Sequence, residues 1–199
     1  MALVQNVARL SEAEYLRLER EAETRSEYFN GEVFAMAGGT RAHSLIATNL
    51  AGELRSRLEA TDCVAYNTDL RVKVEATGLL TYPDVSVVCG EQRFLDDQED
   101  TLLNPTVIIE VLSDSTEAYD RGKKFEHYRH IPSCCEYLLV SQKEPRIEQF
   151  IRQPKDEWTL KEAAGLSAEI KLPALRMALP LREVFAKVRF TPARLRTST

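Results

Sequence analysis

No stretch of the chain approaches the roughly 18 consecutive apolar residues of a membrane-spanning helix, and residues 1–10 lack the basic-then-apolar layout of a secretory signal. The expectation is a cytoplasmic protein with no membrane contact. Cysteine is scarce. Cys63, Cys89, Cys134 and Cys135 form no C-x-x-C pair and no zinc spacing. Cys134 and Cys135 are adjacent and cannot chelate together, and Cys89 ends an apolar run as a small core residue would. Reduced thiols are expected. A basic excess is also missing: 26 Lys+Arg stand against 31 Asp+Glu, a net charge of −5. That argues against a histone-like binder, but not against a nuclease whose carboxylates are neutralised by a metal ion. Phosphate-loop, dinucleotide-binding, nucleophile-elbow and H-E-x-x-H motifs are all absent. So are internal repeats and low-complexity segments.

What is present fits one ordinary domain. The chain has 199 residues, 44% hydrophobic and 29% charged, enough to bury a core without staples. A single domain over 1–190 is expected, followed by a flexible basic tail at 191–199. Acids crowd 91–100 and basic residues (Lys187, Arg189, Arg194, Arg196) crowd the C-terminus; a solvated loop and a frayed tail account for both. Ser11 and Glu14 resemble a capping box ahead of a helix over about 11–22. Asn30-Gly31 predicts a type I′ hairpin turn between 26–29 and 32–36. Leu45, Ile46, Asn49, Leu50, Leu54 and Leu58 recur at helical spacing over about 41–60. Strands are expected at 64–66, 70–74 (half exposed), 84–89, 107–112, 136–141 and 146–152, with another at 158–162. Helices are expected at 116–130, stopped by Pro132, and at 181–188. The fold class is therefore α/β (α+β), a central mixed sheet with helices packed upon it. His127 and His130 could hold a metal, but exposed residues near a helix C-terminus suit them better.

Two acids stand where acids are expensive. Asp84 opens the apolar run Val85-Ser86-Val87-Val88, and Glu110 interrupts Val107-Ile108-Ile109 and Val111-Leu112. A carboxylate in an apolar strand is costly unless paired or coordinated. Two on adjacent strands raise each other's pKa unless a cation is shared, and oxygen-only ligation favours Mg²⁺ or Mn²⁺ over zinc. Downstream, Asp120, Lys124 and Tyr128 are spaced by four and share one helical face. Either Asp120 and Lys124 are a surface pair, or Lys124 stands beside the metal, with Tyr128 contacting a phosphate or bracing the lysine.

Pro83-Asp84 followed by Glu110-x-Leu112 resembles the P-D…(D/E)-x-K pattern of the restriction-endonuclease-like nuclease superfamily. The closer resemblance is to a branch of short standalone bacterial proteins, abundant in cyanobacteria and described as restriction endonucleases. Arg25, Glu27, Gly31 and Glu32 match its R-x-E-x-x-x-G-E, and His43 matches a histidine opening the next helix. Tyr82-Pro83-Asp84 matches Y-P-D, and Glu110 to Thr116 match E-V-L-S-x-S-T. Asp120, Arg121, Gly122, Lys124 and Tyr128 match D-R-G-x-K-x-x-x-Y. The usual lysine falls on Leu112, so the resemblance moves that role to Lys124. It implies an endonuclease that hydrolyses DNA phosphodiester bonds, with catalytic Asp84, Glu110 and Lys124. It further implies Mg²⁺ (or Mn²⁺) held by Asp84, Glu110, Glu27 and the Val111 carbonyl, and supporting roles for Tyr128, Asp120 and His43. A homodimer is expected, since paired active sites match duplex symmetry. The alternative is a non-catalytic nucleic-acid- or protein-binding module that keeps the fold, consistent with Leu112 and the acidic net charge.

Overall fold

Ser11 starts α1 (Glu12–Glu21) by accepting a hydrogen bond from the Glu14 amide at 3.2 Å. The other half of the expected capping box does not form, because the Glu14 carboxylate binds Arg17 instead. The computed structural model describes residues 9–36 and 38–190. The tail expected at 191–199 lies outside the described residues, as do residues 1–8. Among the described residues no helix is long and apolar enough to cross a membrane.

Asn30 and Gly31 have φ of 49° and 85°, the two positive values that let β1 (Ser26–Phe29) turn directly into β2 (Glu32–Ala35). Next come α2 (Arg41–Leu58), β3 (Cys63–Asn67), β4 (Arg71–Val74), β5 (Leu79–Thr81), β6 (Val85–Cys89), β7 (Thr101–Leu102) and β8 (Val107–Val111). A helical stretch follows, made of α3 (Glu117–Tyr119), a π turn (Asp120–Lys124) and α4 (Phe125–Tyr128). The chain then forms β9 (Glu136–Val140), β10 (Arg146–Arg152), β11 (Trp158–Ala164), β12 (Glu169–Leu172), β13 (Met177–Pro180) and α5 (Leu181–Val184).

The larger sheet has the order β11-β10-β9-β8-β6-β3, antiparallel except for the parallel pair β8-β9. A second sheet, β2-β1-β5-β4-β7, lies across one of its faces, and β12-β13 form a separate hairpin. Strand alternation divides the β8 side chains between two cores. Val107, Ile109 and Val111 join Ile46, Leu50, Leu54 and Leu58 of α2 and residues of β12, β13 and α5. Ile108 and Leu112 join Val72, Val74 and Leu79 of the second sheet and Tyr128 of α4. Both faces are covered, as the apolar runs predict. Each fully buried Leu or Ile contributes about 1.5–3 kcal/mol. Alternation also places Glu110 on the same face as Ile108 and Leu112, under the second sheet.

Three expectations are corrected here. The strand at Arg71 is not half exposed: Arg71 is buried, donates to Thr101 Oγ1 at 2.9 Å and Tyr82 OH at 3.1 Å, and pairs with Asp100 at 2.9 Å. Asp96 and Asp100 both pair with Arg20 at 2.7 Å, so the acidic stretch is docked onto α1 rather than simply solvated. The thiols are not all reduced. Cys63 and Cys89 are register partners on β3 and β6, their Cα atoms are 3.9 Å apart, and they form a disulfide, leaving Cys134 and Cys135 free. Sequence spacing is silent on this pair, because only the antiparallel register brings together residues separated by 26 positions. Thiol titration of unfolded, unreduced protein should find the thiols of Cys134 and Cys135 alone, and all four cysteines after reduction. Closing a loop of this length is worth about 3–4 kcal/mol. Reduction should therefore lower the urea midpoint by the corresponding amount; an unchanged midpoint would show that the bridge does not stabilise the fold.

Candidate active site

Asp84 sits one residue ahead of β6, and Glu110 is the fourth residue of β8. The antiparallel register pairs Val85 with Ile109, which carries Asp84 alongside Glu110. The Val111 amide donates to Asp84 Oδ2 at 2.7 Å, and His43 Nε2 lies 3.2 Å from the same oxygen. His43 belongs to the first turn of α2, whose cap, Thr40, accepts from the His43 amide at 3.1 Å. The hydrogen bond to Asp84 raises the His43 pKa above its ordinary value, against the effect of burial. Gly39 leaves room for this ring: a Cβ there would come within 2.9 Å of His43 Nδ1 and push the imidazole aside.

Lys124 lies at the floor of the site, 6% exposed. Its Nζ is 3.0 Å from Glu110 Oε1, 3.1 Å from Glu27 Oε1 and 3.6 Å from Asp120 Oδ1. Burial pulls its pKa down, but Glu110, Glu27 and Asp120 more than offset this, so it lies well above the ordinary lysine value and the ammonium persists. Glu110, 4% exposed, also accepts from Tyr128 OH at 2.8 Å on Oε1. Burial pushes the Glu110 carboxyl up to about 8; Lys124 opposes that shift, while Asp120 and Asp84 add to it. Thr81 donates to Glu27 Oε1 at 2.5 Å. Asp120 is 2% exposed, and its Oδ1 has no hydrogen-bond partner among the described residues.

These side chains line a cleft of about 1090 Å³ between the β1-β2 hairpin and the segment 113–124. Asp84, Glu110, Glu27, His43, Val111, Asp120 and Lys124 thus line one cleft. A surface Asp120–Lys124 pair is ruled out, because both residues are buried. The helix is not regular between them: the π turn widens it, and π turns recur at functional sites. Tyr128 is buried completely and braces Glu110, so it is corrected from a phosphate contact or lysine brace. Leu112, on the same strand face as Glu110, is packed into the apolar core. Arg25 is structural, pairing with Asp69 and donating to Thr68 O at 3.0 Å. Glu32 is exposed and is not part of the cleft lining. His127 is half-buried against Phe29 and within 2.9 Å of Thr77 Oγ1, not exposed as expected, whereas His130 is exposed. Thr81 and Gln142 escaped sequence reasoning. Gln142 donates to Leu112 O at 2.7 Å and accepts from Thr40, tying the end of β9 to the cap of α2. The position of Thr81, just ahead of Tyr82-Pro83-Asp84, is the sole sequence hint to its role.

Among the described residues no three Asp, Glu, His or Cys side chains gather closely enough to enclose a metal ion. The donors do fit a hard cation that retains water. Asp84 and Glu110 are each tied down through one oxygen, their second oxygens take part in none of these bonds, and Val111 lines the same cleft. Mg²⁺ is usually bound by one or two carboxylates, with water and phosphate completing its shell. Three carboxylates, those of Glu110, Glu27 and Asp120, face the single Lys124 ammonium, and the buried Asp120 Oδ1 makes no hydrogen bond among the described residues.

Residues 12–182 match the family model Uma2, described as "Putative restriction endonuclease". The chain belongs to the Uma2 family. Two Synechocystis proteins are similar to the chain over most of its length. The uncharacterized protein slr1290 is 38% identical over 154 residues, covering 76% of this chain and 79% of its own length. The uncharacterized protein sll1609 is 33% identical over 177 residues, covering 89% and 100%. A crystal structure of a putative nuclease belonging to DUF820 from Anabaena variabilis superposes with a TM-score of 0.68 at 20% identity, covering 87% of this chain and 96% of that one. The Uma2 chain thus has the mixed α+β, restriction-endonuclease-like fold expected from its sequence.

Proposed function

We propose that the chain is a Mg²⁺- or Mn²⁺-dependent endonuclease that hydrolyses DNA phosphodiester bonds. The observation that carries this reading is the convergence of Asp84, Glu110 and Lys124, from three separate elements, at the floor of one cleft. A bound cation would supply charge neutralisation at the phosphate and a more acidic water. Asp84 and Glu110, with the Val111 carbonyl, are its holders. His43 and the Val111 amide fix the orientation of Asp84, and Tyr128 fixes that of Glu110. Lys124 keeps a proton-bearing ammonium at the floor, where it can orient water or share the charge of a phosphate oxygen. Glu27 is engaged by Thr81 and Lys124, so its part is to hold the lysine.

Incubation with supercoiled plasmid and Mn²⁺ should yield nicked or linear product, and EDTA should abolish it. Binding without cleavage would favour the non-catalytic module, a reading consistent with Leu112 at the usual lysine position. Cutting both strands at one locus needs a second cleft, which a two-fold homodimer would provide. Sedimentation at micromolar concentration should then give twice the chain mass; a monomer would count against paired cutting.

Metal binding should depend on pH. Glu110 titrates near 8, so below that pH its proton must leave before the carboxylate can hold a cation. Calorimetry in buffers of different ionisation enthalpy should report release of roughly one proton per Mn²⁺ at pH 7. Affinity should rise with pH and flatten above about 8; a flat profile from pH 6 to 9 would remove Glu110 as a ligand.

A further inference from the structure

The cleft has an acidic floor, but one of its walls is apolar. Phe34 is 47% exposed and Met36 36%, and both line the cleft. In the β1-β2 register Phe34 is the direct partner of Glu27, so its ring stands on the same sheet face as the acid that holds Lys124. Phe29, at the other end of β1, also lines the cleft. Lys123, Lys143 and Arg189 supply cations around it. Lys123 is paired with Glu126, and Lys143 with Asp114 and Glu117.

A stacked duplex presents sugar and phosphate outward and keeps its base faces inside, so an exposed phenyl ring beside the reacting phosphate has nothing to pack on. An unpaired strand offers both partners, a phosphate and a free base face. Charge points the same way. Tracking a duplex by its phosphates takes many uncompensated cations, whereas this chain is net acidic and two of the cleft's lysines are already paired. We propose that the cleft takes unpaired DNA, a single strand or an opened segment, with a base stacked on Phe34 and Met36 and its phosphate directed to the Asp84–Glu110 floor. The proposal rests on the nuclease reading of the same cleft and narrows its substrate.

The test is fluorescence anisotropy of a fluorescein-labelled oligodeoxythymidine of about 12 nucleotides, a length within the usual site sizes for single strands, in Ca²⁺-containing buffer. A blunt duplex of equal length serves as competitor, and Mn²⁺-supported cleavage of both is measured in parallel. The single strand should bind at least about tenfold more tightly than the duplex. Phe34→Ala should weaken it by about five- to a hundredfold, the scale of one stacked base, with a smaller loss for Met36→Ala. Val33→Ala is the control, since Val33 is equally exposed but pairs with Tyr28 on the opposite face and is not part of the cleft lining. Equal binding of strand and duplex, or insensitivity to Phe34→Ala, overturns the proposal even if plasmid cleavage succeeds. Single-strand binding that depends on Phe34 without any cleavage upholds it and sinks the nuclease reading instead. If Phe34→Ala converts a dimer to a monomer and leaves strand affinity intact, the wall is covered by a second copy and the proposal fails.

Discussion

Replacing Lys124 with methionine should cost about 3–5 kcal/mol of stability, because it leaves buried carboxylates without their counter-charge. Glu110, Glu27 and Asp120 all face this ammonium, and Asp120 Oδ1 already lacks a hydrogen bond. Urea denaturation reads this loss directly. Plasmid cleavage should fall on the order of 10²-fold or more, the contribution expected of a positioned electrostatic or proton-transfer group. Compared at a pH where Glu110 is ionised in both proteins, Mn²⁺ affinity should stay level or rise, since the ammonium no longer competes for Glu110. At lower pH the loss of Lys124, which holds the Glu110 pKa down, should favour the proton over the metal. Adding Glu110→Gln to Lys124→Met should recover part of the stability and none of the cleavage, a coupling expected of groups in contact. Leu112→Lys in the Lys124→Met background offers an ammonium on the strand face of Glu110. Leu112 lies in the apolar core, however, so that variant should be further destabilised even where it restores some cutting. If Lys124→Met unfolds at the wild-type midpoint and cuts at the wild-type rate, Lys124 is neither a structural counter-ion nor part of the chemistry.

Asp84→Ala should abolish calorimetric Mn²⁺ binding and plasmid cleavage together, separating it from Lys124→Met, which loses cleavage but not the metal ligands. Fold stability should change less, because Asp84 stands at a strand entrance rather than in the core. A second readout is independent of activity. Asp84 raises the His43 pKa through their contact at 3.2 Å, so its removal should bring that pKa down. Imidazole titration by NMR, with His43→Asn to assign the resonance, measures the change. Metal binding that survives Asp84→Ala would move the cation elsewhere, and an unmoved His43 titration would show that the His43–Asp84 contact does not hold in solution.

Local patterns determined much of this protein. Asn30-Gly31 specified the hairpin, the spacing of Ile46, Leu50, Leu54 and Leu58 specified the buried side of α2, and largely apolar runs specified β6 and β8 as strands covered on both faces. Asp84 and Glu110 were legible because a carboxylate in such a run needs a partner. The short strands β5, β7, β12 and β13 were not legible, since two to four residues carry no periodicity strong enough to identify them. Tertiary structure alone decided the partners. Register between distant strands brought Cys63 onto Cys89. The closing of the second sheet over β8 turned Asp120 and Lys124 from a surface pair at helical spacing into a buried cluster. Sequence spacing fixes which side chains share a face of one element, but long-range packing sets which charges lose their water, and that loss determines the pKa values and the counter-ions of the site.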